Sequence, residues 1–188
     1  WRIIVAIADV STYVQSGDIL DKEARQRGNS VYLPGTVVPM LPEALSNGLC
    51  SLRPHEDRAC LAVEMIIDSG GNKQSHKFFQ ALIRSSARLT YTLVQQVIEG
   101  SLDEADCKVT PGTLHHLIGA FRTLHKSRNR RGTLNLNLSE ARIKFDEKDQ
   151  PVSVTEHHQE EAHQLIEEFM IAANICSAET LEQAGESC

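Results

Sequence analysis

The stretch CLAVEMIIDSGGNKQSHKFFQALI, Cys60 to Ile83, decides the fold. Cys60 to Ile67 is apolar except for Glu64 and reads as a buried strand; the SGGN that follows breaks it, and Lys73 to Ile83 resumes at strand length. Two such runs joined through a Gly-Gly turn predict an antiparallel hairpin. On its N-terminal side, Ile3 to Ala8 is a near-continuous apolar run ending in Asp9, the pattern of a strand covered on both faces. DILDKEARQR follows as a short helix, with Asp18 as its cap, Asp21 in its first turn and Gly28 just past its end. Between that helix and the hairpin lies RGNSVYLPGTVVPMLPEALSNGLCSL, Arg27 to Leu52, punctuated by Pro, Gly and Asn but almost uncharged. It reads as an ordered, irregular segment rather than an ordinary helix or strand.

On the C-terminal side helix signals take over. Thr90 caps a short helix through Ile98, stopped at Gly100. Thr110 as cap and Pro111 at the first helical position open a longer one, with Leu114, Leu117, Ile118, Phe121 and Leu124 on one stripe and a stop at Gly132. Ala141, Ile143 and Phe145 alternate with Arg142 and Lys144 as in a half-buried strand, which Val152 to Val154 can pair across the DEKDQP turn. From Glu160 onward, Ala162, Leu165, Ile166, Phe169, Met170, Ala173 and Cys176 recur at helical spacing, predicting a long amphipathic helix. The sum is an α+β domain: a mixed, mostly antiparallel sheet with packed long helices.

The 188 residues leave room for one domain with its own core. No uninterrupted apolar run approaches the ~18 residues a membrane-spanning helix needs, so no membrane partner is expected. Five cysteines without a CxxC pair argue against a zinc ribbon and against a complete disulfide framework, and point to a reducing cytoplasm. A formal net charge of −6 gives no global pull toward nucleic acid, so any phosphate contact must come from a local basic surface. The chain opens inside a strand and closes in or just after a helix, whereas domain boundaries usually fall in polar linkers; residues 1–188 are therefore expected to be part of a domain truncated at both ends.

Candidate chemistry is sparse. His115-His116 and His157-His158 are neighbours that point about 100° apart on a helix, and HHQEEAH lacks the step of HExxH, so helix-surface histidines are the plain reading. In HKSRNRRG, Arg122, Lys126 and Arg130 fall four apart and form a cationic stripe, either offsetting the helix macrodipole or contacting phosphate. Two-metal phosphodiester hydrolysis needs converging carboxylates, and no DxD or DD motif is present; GxSxG is absent as well. These residues alone assign no catalytic and no metal-binding residue.

Four motifs in order add a resemblance: VAIADVSTYV, LDKEARQRGNSVYLPGTVVPMLPEALSNGLCSL, ARLTYTLV and LIEEFMIAANICSA. They resemble the catalytic RNB domain of the ribonuclease II and ribonuclease R family, closer to the ribonuclease R branch, over essentially the whole chain. The resemblance implies a magnesium-dependent hydrolase that degrades RNA from the 3′ end to 5′-mononucleotides. It also implies that the family's four metal-binding aspartates lie in a loop ahead of Trp1, so the chain by itself is expected to bind no Mg2+ and to be inactive. The alternative is a non-catalytic RNA-binding or scaffold relative. By the same resemblance Tyr32 packs on the 3′-terminal nucleotide, while Tyr91 and Glu167 hydrogen-bond ribose near the scissile end, which can tell RNA from DNA. Arg130, taken from the basic stripe and not from the resemblance, is the candidate phosphate contact beside them. The helical wheel independently puts Glu167 and Asn174 on one edge of the apolar stripe, the place for polar groups lining a groove. One departure is Leu136, standing where relatives often carry an aromatic opposite the terminal base. On this reading Arg27 to Leu52 lines the deep end of an RNA channel and presents Tyr32 on a strip stiffened by proline.

Overall fold

The computed structural model describes residues 1–33, 35–133, 140–146, 150–157 and 159–186. The predicted hairpin is its centre. Strands β4 (Asp57–Ile67) and β5 (Lys73–Arg84) pair antiparallel, and β1 (Arg2–Ala8) adds antiparallel to the free edge of β4, giving the order β1-β4-β5. The connecting turn is tied by Asp68, whose Oδ1 accepts from the backbone N–H groups of Gly70 (2.8 Å) and Asn72 (2.9 Å). These hydrogen bonds favour the charged form and hold the Asp68 carboxyl below its usual range.

Two helices cover one face of this sheet. From α3 (Thr113–Arg130) come Ala120, Phe121 and Leu124; from α4 (Glu161–Ala184) come Leu165, Phe169, Ala173 and Cys176. They close over Ile3, Val63, Met65 and Ile67 to form a single core. Both helical stripes are the ones their spacing predicts, although Ile166 and Met170 lie at the margin and stay partly exposed. The turn between β4 and β5 is pressed onto α3: a Cβ on Gly71, which has φ +80°, would sit 2.6 Å from both the Ser127 Cβ and the Thr123 carbonyl oxygen. At the same end of the sheet, beside Ile67, the Trp1 ring lies over Gly119, and its indole N–H donates to the Thr123 hydroxyl at 3.0 Å.

Three expectations need correction. β1 is covered on one face only among the described residues: Ile3 is buried but Ile4 is 51% exposed, because α3 and α4 both pack on the same side of the sheet. The long helix α3 does not start at Thr110-Pro111. It begins at Thr113 after Gly112 in a left-handed conformation, and the free Leu114 N–H is satisfied instead by the Glu104 carboxylate at 2.6 Å. A partner ten residues upstream thus does what a local cap usually does. The segment Arg27 to Leu52 is also more regular than expected. After α1 (Ile19–Arg27), capped by Asp18 as predicted, it forms a ribbon of β2 (Val31–Leu33) and β3 (Thr36–Val38), then a π-type helical turn over Ala44–Leu49.

The short helix α2 (Tyr91–Ile98) starts where Thr90 predicts, its hydroxyl accepting from the Leu93 N–H at 3.3 Å. Strands β6 (Glu140–Phe145) and β7 (Pro151–His157) form the expected second hairpin. Among the described residues no helix is long and apolar enough to cross a membrane.

Candidate nucleic-acid interface

The α2–α4 contact brings Tyr91 against the helix that carries Glu167. Tyr91 stands at the first position of α2 and its ring stacks on the His163 imidazole, with centroids 4.1 Å apart and planes 18° from parallel. The Gln95 side-chain carbonyl accepts from the Ala162 N–H at 3.1 Å, which fixes α2 against the first turn of α4. Behind the ring lies a largely apolar cavity of about 420 Å3, lined among others by Leu89, Tyr91, Val94, Leu117 and Ile166. Glu167 follows His163 by one helical turn on α4, so the Tyr91 stack and the Glu167 carboxylate sit on neighbouring turns of one face.

Glu167 is held from two directions. Its Oε1 accepts from Arg128 Nη1 at 3.0 Å and its Oε2 from Gln159 Nε2 at 2.7 Å. The hydrogen bond from Arg128, then that from Gln159, keeps its carboxyl below the usual glutamate range. The same Arg128 nitrogen donates to Glu168 at 3.2 Å, and His125 Nδ1 lies 3.0 Å from the same Glu168 oxygen. Glu168 is 4% exposed, a carboxylate inside the α3–α4 seam whose burial is compensated by these partners. Sequence reading missed Arg128, Glu168 and Gln159. The available signal was helical phase, since Glu168 falls three residues after Leu165, and Arg128 four after Leu124, on stripes that are otherwise apolar.

Tyr32 stands apart from that pair, on the β2–β3 ribbon. It pairs in register with Val37, and its side chain is 78% exposed. The ribbon is fastened at its base, where Arg27 Nη1 donates to the Pro39 carbonyl at 3.0 Å and the Ser30 hydroxyl accepts from the Met40 N–H at 2.9 Å. The aromatic ring is therefore presented to solvent from an anchored support. Leu136 lies outside the described residues.

The basic stripe lines an open groove of about 680 Å3 beside α3, with Phe121, His125 and Gln164 among its walls. Arg122 is paired with Glu161 at 3.1 Å, and Arg130 Nη2 donates to the Gly70 carbonyl, so both carry structural contacts. Asp9 is buried where β1 ends, accepting from the Ser11 hydroxyl at 2.5 Å and from Gln80 Nε2 at 3.0 Å. Those bonds, Ser11 first, hold its carboxyl below the usual range. Among the described residues no three His, Cys, Asp or Glu side chains converge into a group that could hold a metal ion. The donor set thus does not fit magnesium, and no chemical step through a metal follows from these residues.

The described residues thus hold an anchored, exposed tyrosine on the ribbon and a second tyrosine stacked on the helical turn next to a fixed carboxylate, within a mixed α+β scaffold. The RNB domain family model matches residues 1–188, and the chain belongs to that family. Within the family it is similar to ribonuclease R of Escherichia coli (strain K12), 44% identical over 99% of this chain and 23% of that protein. It therefore spans about a quarter of the relative's length. Its fold is that of Mycoplasma genitalium RNase R, at 33% sequence identity. The structure in complex with ribose methylated single-stranded RNA superposes at a TM-score of 0.92, covering 98% of this chain and 29% of that one. The structure in complex with double-stranded RNA gives 0.93, covering 98% and 33%.

Proposed function

We propose that this chain forms part of the substrate-holding wall of a hydrolytic 3′–5′ exoribonuclease that removes one nucleotide at a time as a 5′-monophosphate. The observation that carries the reading is the 44% identity to a ribonuclease R across nearly every residue of the chain. The two RNA complexes of a 33% identical relative support RNA as the bound polymer. Magnesium is the proposed ion of the complete site, supplied with ligands by the family's aspartate loop rather than by any residue described above. The cytoplasm is the proposed compartment, on the cysteine pattern.

Within this wall, Tyr32 is the proposed platform for the terminal base. Aromatic stacking is worth about 1–3 kcal/mol per base and accepts any sequence. Tyr91 and Glu167 are the proposed ribose readers: a phenol hydroxyl and an ionised carboxylate can both engage a 2′-OH, which DNA lacks. Arg130, which lines the groove beside α3, is the proposed phosphate contact.

The test uses full-length protein, magnesium and RNA carrying a label near its 5′ end. A ladder shortening from the 3′ end with release of 5′-mononucleotides is expected, and an intact substrate would refute the exoribonuclease reading. Tyr32→Ala should change the length of the final product or weaken terminal binding. Identical end products and identical binding would remove Tyr32 from the site.

A further inference from the structure

The two carboxylates of the Glu167-Glu168 pair point in different directions and meet one guanidinium. Glu168 is turned inward and Glu167 outward, their side chains 5% and 39% exposed, with Arg128 between them at 16%. A carboxylate buried to that degree must be paired, and Arg128 and His125 are its partners. The inner contact fixes Arg128 before any ligand arrives. Arg128 then offers the same nitrogen to Glu167 at 3.0 Å, while Gln159 takes the other Glu167 oxygen at 2.7 Å. Each oxygen of Glu167 has one fixed donor and keeps acceptor capacity for one more. The group is thereby ionised and set in a single orientation, with only its acceptor side free.

We propose that Arg128 is a positioning residue for ribose recognition: anchored on buried Glu168, it aims the Glu167 carboxylate at a substrate 2′-OH, with Gln159 as the outer strap. The inference rests on the proposed reading of Glu167 as a ribose contact. Its physical content is preorganisation. A carboxylate free to rotate must be ordered each time a nucleotide binds, and one already tied from both sides is not. Because a 2′-deoxy nucleotide gains nothing from that aim, loss of Arg128 should weaken RNA more than a matching substrate lacking the hydroxyl.

The experiment compares kcat/KM of the full-length protein on two oligonucleotides that differ only in the 2′-OH groups of their 3′-terminal nucleotides. The wild-type ratio is the reference. Glu167→Gln should reduce it, and Arg128→Gln should reduce it by about tenfold, the scale of one charge-assisted hydrogen bond. In the Glu167→Gln background, Arg128→Gln should leave the ratio where Glu167→Gln alone puts it. A ratio that Glu167→Gln does not move would defeat the ribose reading of Glu167 and this inference with it. A ratio that falls in Glu167→Gln yet stays within about twofold of wild type in Arg128→Gln would defeat the inference alone.

A merely structural Arg128 would depress both substrates equally and leave the ratio intact. Since Arg128→Gln leaves a buried carboxylate with His125 as its remaining partner and can cost the fold, two further variants carry the test. Gln159→Ala alters an exposed residue outside the helices and should lower the ratio roughly threefold, toward the lower end for an ordinary net hydrogen bond. Arg128→Gln combined with Glu168→Gln removes the anchor charge together with its partner and should reproduce the loss of discrimination in a folded protein. Wild-type ratios in both would overturn the proposal.

Discussion

Replacing Gly71 with alanine should damage this protein far more than the same replacement at Gly100, although both residues have nearly the same backbone conformation. Their φ values are +80° and +74°, so each substitution places an L-residue in the left-handed region at about 1–2 kcal/mol. The stiffening of the unfolded chain offsets about 0.4–1 kcal/mol of that cost and is common to both. The environments differ. A Cβ at Gly100 meets nothing within 4 Å, whereas at Gly71 it falls 2.6 Å from the Ser127 Cβ and 2.6 Å from the Thr123 carbonyl oxygen. The second atom is helix backbone and cannot swing away, so the turn or α3 must move. Overpacking of this kind costs typically about 1–3 kcal/mol, which sets the expected gap between the two variants. Urea unfolding followed by far-UV circular dichroism measures it, provided both variants keep the wild-type m-value. Equal destabilisation within about 0.5 kcal/mol would show that the turn does not bear on α3 as described, since additive errors are of that size.

Two other outcomes are expected. Phe169→Ala empties a position 7% exposed between α4 and the sheet and should cost about 3–5 kcal/mol in the same assay; a cost below 1 would mean that this core is not shared by helix and sheet. Glu167 is held below its ordinary value of 4.5 by Arg128 and Gln159, so its contribution to stability is complete above that value and is lost as pH falls through the lower folded-state value. Carboxyl-carbon NMR titration should place its midpoint below that of a free glutamate, and Arg128→Gln should raise it. A midpoint at or above 4.5 in the wild type contradicts the pairing.

The parts of the fold that were legible are those whose signal is local and periodic. Cys60 to Ile83 announced its hairpin through two strand-length runs and a Gly-Gly turn, and α4 announced its buried face through Leu165, Phe169, Ala173 and Cys176. The start of α3 was misread because its first free N–H is satisfied by Glu104, a long-range partner that no local cap pattern encodes. The apolar run of β1 reads the same whether one face or two are covered, and only the placement of both helices on one side decides it. At the site, Glu167 came from the family resemblance, and the helical wheel added only its position on one edge of the apolar stripe. Arg128 and Glu168 were hidden, because each looks like one more charge in a charged stretch until two separate helices bring them within 3.2 Å. The Val31–Val38 ribbon escaped notice because three-residue strands are too short to show alternation.

The stack between Tyr91 and His163 has a directional consequence. With one side of the phenol covered at 4.1 Å, a newcomer can use only the opposite side, the rim and the hydroxyl. Swapping the imidazole for a smaller side chain would expose a second flat surface, turning a one-sided reader into a slot able to admit a flat ring edgewise. On the proposed ribose-reading role of Tyr91, the side of the ring left open to a nucleotide is thus set by a histidine on another helix.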